Sequence, residues 1–195
     1  SDAWICASPV HLRFERNRLM LADSTQFRIT RDEAEALAGS INSHFGDSLM
    51  IYPLQARRWY ARLPDCPDME TTPLSSVRGG AIEAALPHGP DAMRWQARTN
   101  ELQMLLHDHP INLAREARGE PAVNSVWLWG AGQLPPLPER ASTRPFQYVA
   151  ACEPLARGLA RASGAQAQEL AANAREWLAQ AGHANIGLAV LVSLA

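Results

Sequence analysis

Alternating polar and apolar residues near the amino terminus predict an antiparallel sheet built from two hairpins. Successive side chains of a strand point to opposite faces, so alternation indicates a strand with one buried face. The turns are predicted at Arg16-Asn17 and around Gln55. The predicted strands cover residues 4–7, 11–15 and 18–22 in the first hairpin, and residues 49–52 and 58–63 in the second.

Two stretches carry apolar residues at helical spacing. In the first, Thr30 and Glu33 form a capping box, apolar residues recur behind them as far as Phe45, and Gly46 ends the predicted helix. The second helix is predicted for residues 91–107. We expect these helices to cover one face of the sheet, because an amphipathic helix must bury its apolar stripe against another element.

A long loop is predicted for residues 64–90, which are rich in Pro, Thr, Ser and Gly. It contains a short predicted helix at residues 81–86. Loops of this length inside a compact domain are often functional. We interpret this change of composition as a loop within one domain and not as a linker between two domains.

The second half of the chain places helices between apolar strands, which favours parallel pairing. The predicted elements are a strand at 146–152, helices at 153–163 and 167–181, and a strand at 186–194. The expected fold class is therefore mixed α+β, with antiparallel hairpins covered by helices first and parallel strands afterwards. We expect a single domain over residues 1–195. Because the sequence begins without methionine and stops inside an apolar run, we also expect it to be part of a longer protein.

Charge and composition narrow the classes of partner. The chain is 47% hydrophobic and 19% charged, with a net charge of -2 at pH 7, which argues against nucleic acid or an anionic membrane as the main partner. All 18 basic residues are arginine. Lysine Schiff-base chemistry is therefore excluded for this chain, and recognition of an anion has to rely on guanidinium groups, which bind bidentately.

The cysteines and the absence of a long apolar run favour a cytoplasmic protein. Cys6, Cys66 and Cys152 are far apart and form no Cys-x-x-Cys pair, which is typical of reduced thiols. No apolar run reaches the roughly 18 residues that a membrane-spanning helix needs. We expect no membrane partner.

Residues 107–132 concentrate the polar chemistry. Pro110 disfavours helical geometry at His109 and starts a new helix, so a tight bend is predicted between two helices. Asn112, Arg115 and Arg118 follow at spacings that bring them near one helical face. The next predicted strand is the apolar run at residues 126–129, and Gly130 and Gly132 at its end allow close approach of the backbone. This pattern predicts a pocket for a small anion, or else a hydrogen-bonded structural turn.

Other kinds of site have weaker support. His107 and His109 lie two positions apart and converge on a metal only if that segment is extended. The Gly-x-Gly is followed by a proline-rich stretch and not by a helix, so it is not a dinucleotide or phosphate loop. Ser125 and Ser193 lack the Gly-x-Ser-x-Gly turn of a hydrolase nucleophile.

One combination of residues resembles a known family. His109-Pro-x-Asn112-x-x-Arg115-x-x-x-Gly119, with Asn124 and Gly130-x-Gly132 after it, is similar to the signature of the archaeal-type, cofactor-independent phosphoglycerate mutases of the alkaline-phosphatase superfamily. It also resembles a proteobacterial branch of that family known as RpfE-type regulatory proteins. The resemblance covers residues 4–132 and includes the segment at 158–164, which is the central region of the family's proteins.

The resemblance implies a substrate-binding region without the catalytic centre. The family's serine nucleophile and first aspartate belong to a segment that precedes this sequence, and Ser193 stands where the family carries a histidine ligand. We therefore expect no catalytic residue, metal ligand or cofactor in this chain, and two divalent ions, Mn or Mg, only if the full-length protein is an active mutase. The implied substrate-binding residues are His109, Asn112, Arg115, Asn124, Gly130, Gly132 and Arg58.

Three functions are left open by the sequence. The first is a substrate-binding-like domain of a phosphoglycerate mutase homologue, non-catalytic or regulatory in this form, with a small anionic metabolite as partner. The second is a part of an active mutase that interconverts 3-phosphoglycerate and 2-phosphoglycerate. The third is an interaction module whose Arg115 face contacts a regulatory protein partner.

Overall fold

The computed structural model describes residues 2–16, 18–77, 82–134, 146–173, 175, 176, 179 and 187–190. The chain divides into two compact units, residues 1–134 and residues 135–195, and each is described by itself. The expectation of one domain over all 195 residues stays a prediction. Within the described ranges, no helix has the length and apolar character needed to span a bilayer.

An antiparallel sheet of five strands forms the first unit. Its central strand is β1, which pairs with β2, β4 and β5, while β3 pairs with the outer side of β4. The two hairpins predicted from the alternating residues are β1–β2 and β3–β4. The strand bounds are β1 (Ala3–Glu15), β2 (Arg18–Asp23), β3 (Met50–Gln55), β4 (Arg58–Leu63) and β5 (Ser125–Gln133).

The central strand is longer than the sequence predicts. Two separate strands were expected at residues 4–7 and 11–15, whereas β1 runs without interruption through Ser8 and Pro9. Proline has no N–H to donate, so local sequence favours a break there. Pairing of Pro9 with Val126 on β5 keeps this segment extended, which is a constraint that no local pattern contains.

The helices predicted in the first unit are confirmed. Thr30 accepts a hydrogen bond from the Glu33 N–H at 3.2 Å, and the Glu33 carboxylate accepts one from the Thr30 N–H at 2.9 Å, which completes the capping box. Gly46 ends the first helix with φ of +56°, a conformation that favours glycine. The helix bounds are α1 (Arg31–Phe45), α2 (Leu74–Val77), α3 (Ala92–His107) and α4 (Pro110–Ala117).

The main core lies between the sheet and the helices α1 and α3. Every second residue at the start of β1 faces this core, as the alternation predicts. Burying one large aliphatic side chain contributes roughly 1.5–3 kcal/mol, so this layer supplies most of the unit's stability. Its members include Ala3, Ile5 and Ala7 of β1, Leu37 and Ile41 of α1, and Trp95, Leu102 and Leu106 of α3.

The predicted loop at residues 64–90 folds back on itself. Glu70 and His88 exchange two backbone hydrogen bonds, of 2.8 and 3.1 Å, and so close the loop. Gly89 follows with φ of +116°, and a Cβ atom there would meet the Asp68 carbonyl oxygen at 3.0 Å, so this position requires glycine. The short helix expected at residues 81–86 is a single turn, Glu83–Ala85, and residues 78–81 lie outside the described residues.

Parallel pairing is confirmed in the second unit, where β6 pairs with β7 and with β8. The helix predicted at 167–181 is wrong at its start, because residues 166–168 pair with β6 as a strand and residues 169–173 are not helical. Backbone pairing outweighs the helical pattern of this segment. Ser193 lies outside the described residues. The elements are β6 (Tyr148–Ala151), α5 (Pro154–Ala162), β7 (Gln166–Gln168) and β8 (Gly187–Val190).

Candidate functional site

The corner predicted around His109 is present. α3 ends at His107, and α4 begins at Pro110 with His109 as its extended N-cap residue. Proline fits the first turn of a helix and disfavours helical geometry in the residue before it, so Pro110 determines both sides of the bend. Beyond α4 the chain turns at Gly119, which has φ of +73°.

His109 joins the start of α4 to α1 through both ring nitrogens. Its Nδ1 accepts a hydrogen bond from the Ile111 N–H at 3.2 Å, and its Nε2 lies 2.9 Å from the Ser40 hydroxyl oxygen. An accepting Nδ1 requires the neutral ring, in which Nε2 carries the proton and donates it to Ser40. Burial lowers the pKa of His109 below its ordinary value of 6.5, which favours the same neutral form.

The Asn112 amide is fully buried and joins three backbone groups. Its Nδ2 donates to the Leu106 carbonyl at 2.8 Å and to the Val123 carbonyl at 3.0 Å. Its Oδ1 accepts from the Val123 N–H at 2.8 Å. Asn112 therefore ties the end of α3 to the segment that leads into β5.

The Arg115 guanidinium is 1% exposed, and all three of its nitrogens have partners. Nε donates to the Pro121 carbonyl at 2.8 Å, and the two terminal nitrogens donate to the Glu33 carboxylate at 2.9 Å and to the Arg28 carbonyl at 2.8 Å. The guanidinium carbon also lies 5.6 Å from the centre of the Phe27 ring. Arg115 thus holds together α4, the turn after it and the start of α1.

Glu33 is the anionic centre of this network. Burial alone would raise its pKa, but the Thr30 N–H and the Arg115 guanidinium outweigh burial and hold the pKa of Glu33 below its ordinary value of 4.5. Arg118 also donates to Glu33 at 3.0 Å and to Glu120 at 2.9 Å. The carboxylate is therefore charged and shared between two guanidinium groups.

Asn124 pairs with β1 as an extra strand residue would. Its Oδ1 accepts from the Leu12 N–H at 2.8 Å, and its Nδ2 donates to the Leu12 carbonyl at 2.8 Å. His11 next to it contacts the Ala122 carbonyl at 2.8 Å through Nδ1. These contacts give hydrogen-bond partners to the backbone N–H and carbonyl of Leu12 in β1, at the point where β5 begins.

The remaining predicted site residues lie on the sheet. Gly130 has φ of +68° and donates its N–H to the Thr71 hydroxyl at 2.9 Å, while Gly132 pairs with Trp4 of β1. Arg58 begins β4 and is half-buried. Burial raises the pKa of the Cys6 thiol, and the charge of Arg58 opposes that shift only in part.

The structure brings His109, Asn112 and Arg115 together in one corner, but their polar atoms are directed at internal partners. Asn112 and Arg115 were predicted to present an amide and a guanidinium to an anionic ligand. The contacts above assign both side chains a structural role, because a buried donor that already has an acceptor is costly to withdraw. Their role in ligand binding stays a prediction, and this geometry leaves no donor of either exposed to a ligand.

A cleft that the sequence did not reveal lies elsewhere in the first unit. It has a volume of about 760 Å³ and lies between α3, the start of β5 and the loop that carries Ile82 and Leu86. Its walls come from segments far apart in the chain, so no local pattern indicates it. Phe14 and Met104 are large apolar residues that line the cleft, and they are 80% and 78% exposed. Their exposure is visible only in the structure.

The described residues do not fit a metal centre. Within those ranges, no three His, Cys, Asp or Glu side chains are grouped so that they could hold an ion. His107 and Asp108 are both exposed and lie 3.9 Å apart, while His109 contacts Ser40 and Ile111. No metal-dependent step is derived from these residues.

Known proteins similar to this chain are phosphoglycerate mutases, although no family model matches it. The 2,3-bisphosphoglycerate-independent phosphoglycerate mutases of Methanothrix thermoacetophila and Methanosarcina mazei are 31% and 29% identical to it, each over 119 residues. A probable enzyme of the same description from Geobacter sulfurreducens is 31% identical over 131 residues. These matches cover 61%, 60% and 65% of this chain but only 30%, 30% and 32% of the relatives.

Two solved structures share the fold. The cofactor-independent phosphoglycerate mutase of Thermoplasma acidophilum superposes with a TM-score of 0.55 at 20% identity, over 99% of this chain and 56% of that protein. A protein of Pyrococcus horikoshii gives a TM-score of 0.57 at 16% identity, over 96% of this chain and 46% of its own. At such identities the likeness shows the arrangement of the elements and nothing finer.

Replacing Arg115 by methionine is expected to lower the free energy of unfolding by about 2–4 kcal/mol, because the Pro121 and Arg28 carbonyl groups lose a charged donor and Glu33 keeps only Arg118 as its cation. Urea denaturation of the purified chain measures the change. Arg31→Met is the matched control, since the contacts of Arg31 with Glu35 and with the Leu54 carbonyl are both exposed, and its loss should lower the free energy of unfolding by only about 1 kcal/mol. Equal losses for both variants would contradict a fastening role for Arg115.

The lowered pKa of His109 predicts a stability that depends on pH. The unfolded chain takes up a proton at His109 more readily than the folded chain, so this contribution is complete above pH 6.5 and is lost as the pH falls through the lower folded value. The urea concentration at the midpoint of unfolding should decrease as the pH is lowered from 8 to 5. In the His109→Asn variant this decrease should be smaller. His107→Asn is the control, because His107 is exposed and should leave the slope unchanged.

Proposed function

We propose that this chain is the substrate-binding-like region of a phosphoglycerate mutase homologue and is non-catalytic in this form, as in the RpfE-type regulatory branch that its motif resembles. The observation that carries the proposal is about 30% identity to 2,3-bisphosphoglycerate-independent phosphoglycerate mutases over 119 residues. The shared fold with the Thermoplasma acidophilum enzyme, over nearly the whole of this chain, supports it.

The contacts of the motif residues support a shared architecture more than a shared reaction. His109 caps α4, Asn112 joins α3 to the approach of β5, Arg115 binds α1 to α4, and Asn124 pairs with β1. A motif of this kind is retained when the fold is retained, whether or not the protein catalyses anything. A region that keeps the frame of a mutase without its chemistry would retain these contacts.

Arg58 is the proposed contact for a small anionic metabolite. It lies on the sheet at the start of β4, and a guanidinium binds a phosphate or carboxylate through two parallel hydrogen bonds. Gly130 and Gly132, on β5, remain in the proposal as positions where the backbone has room for a ligand, since neither would bring a Cβ within 4 Å of another atom.

An alternative is that the full-length protein is an active mutase, which the names of the similar proteins favour. In that case the complete protein would carry two divalent ions, Mn or Mg, on residues outside those described. Such ions would stabilise the charge that develops as a phosphoryl group is transferred. The matched regions cover under a third of the relatives, so this activity has to be tested on the whole protein.

Turnover and metal content of the full-length protein separate the two. We expect no interconversion of 3-phosphoglycerate and 2-phosphoglycerate, and no activity gained by adding Mn or Mg. An active enzyme would instead hold about two divalent ions per chain and lose them together with its activity on chelation. That second result would replace the non-catalytic proposal with the enzymatic one.

Titration with 3-phosphoglycerate and with inorganic phosphate tests the binding role by calorimetry. We expect saturable binding that Arg58→Gln weakens by about tenfold, because a hydrogen bond to a charged group contributes roughly 1.5–3 kcal/mol. Arg13→Gln is the control, since Arg13 is exposed at the far end of β1. Absence of binding to the unmodified protein would remove the metabolite from the proposal.

A further inference from the structure

We propose that the cleft beside α3 binds a small neutral molecule with an apolar body and one carbonyl group. The 760 Å³ volume lies within the range of roughly 300–1,000 Å³ that is usual for small-molecule sites. Leu12, Ile82, Leu86, Trp127 and Leu128 are among the apolar residues of its wall. A highly charged phosphoglycerate would lose its water against these apolar groups without gaining hydrogen bonds in exchange. This site is therefore distinct from the anion site proposed above.

Trp95 supplies the donor that indicates a ligand. It lines the cleft, is 3% exposed, and its Nε1–H has no hydrogen-bond partner, which holds for no other buried side-chain polar atom in the described part of the chain. Buried indole N–H groups usually find an acceptor, because leaving one unpaired is costly. With a small movement of the indole ring, a carbonyl oxygen in the cleft would satisfy this donor.

Ser125 adds a second neutral donor to the same wall. Its side chain is buried, and the contact assigned to it, from the Gln103 amide nitrogen to the hydroxyl oxygen, is long at 3.4 Å. In that contact the serine oxygen accepts, so its own proton is left to donate. Thr99, on the same side of α3, is unsuitable because its hydroxyl donates to the Trp95 carbonyl at 3.0 Å.

The charges around the cleft favour a neutral ligand over an anion. The charged side chains that line it are Arg13, His107 and Asp108. Arg13 lies 3.4 Å from Glu15, and His107 lies 3.9 Å from Asp108, so each basic group has an acidic neighbour and both pairs are exposed. A carboxylate in the cleft would meet neutral donors and basic groups that already have an acidic neighbour, which compensate poorly for the water it loses.

The exposed rim of the cleft carries apolar as well as polar side chains. Phe14 and Met104 line it and are among the most exposed large apolar side chains of the described residues, at 80% and 78%. Exposed apolar side chains grouped at the mouth of a cleft are typical of a binding site. A bound ligand would cover part of this surface.

Three naphthalene probes of matched shape test the proposal by equilibrium dialysis against the purified chain. They are 2-acetylnaphthalene, which is a neutral ketone, 2-naphthoate, which is an anion, and 2-ethylnaphthalene, which has no acceptor. We expect the ketone to bind about fivefold more tightly than the ethyl compound, which corresponds to one net hydrogen bond, and more tightly than the anion. Trp95→Phe keeps the aromatic body but removes the N–H, so it should abolish this preference.

Two surface variants locate the site without disturbing the core. Met104→Glu, at the mouth, should weaken binding of the ketone severalfold, whereas Met93→Glu should not, since Met93 lies on the same helix, is equally exposed, and does not line the cleft. Equal affinities for the three probes, no saturable binding of any, or a ketone preference that survives Trp95→Phe would overturn the proposal. A failed titration with 3-phosphoglycerate would leave it intact.

Discussion

The first unit depends on the contact between the Arg115 guanidinium and the Glu33 carboxylate, 82 positions apart in the chain. Glu33 is also the third residue of the capping box that starts α1, and Arg115 also holds the carbonyl groups of Arg28 and Pro121. A single ion pair therefore connects the first turn of α1 to α4. Losing Glu33 would leave the buried Arg115 guanidinium without its nearest carboxylate, whereas losing Arg115 would leave Glu33 with Arg118 and the Thr30 N–H as its partners.

This network changes the meaning of the motif. Residues at fixed spacing with amide and guanidinium groups resemble an anion site, and the same groups are those that satisfy buried backbone carbonyls. In this chain Asn112, Arg115 and Asn124 contact backbone groups. Asn112 connects α4 to the segment before β5, Arg115 connects α4 to the segment before α1, and Asn124 pairs with β1. The motif that resembles the mutase family therefore consists in part of residues that maintain the fold. The cleft, in contrast, is lined by residues that no motif contains.

Local signals predicted the elements well and their partners poorly. The capping box at Thr30, the end of α1 at Gly46 and the bend at His109 each arise from chemistry within a few residues, and all three are confirmed. The continuous strand through Pro9 and the strand at 166–168 depend on pairing with distant backbone, so the sequence pattern gave a break and a helix instead. The acceptors of Arg115 and the walls of the cleft are equally non-local, which is why the donors were predicted to be free and the cleft was missed.

The position of β1 has a consequence for synthesis of the protein. The backbone N–H of Leu12 in β1 donates to Asn124, which lies 112 positions later in the chain. At translation rates of roughly 5–20 residues per second, the nascent strand therefore remains unpaired along one edge for about six seconds or more. Throughout that interval this edge is a template for pairing with other chains.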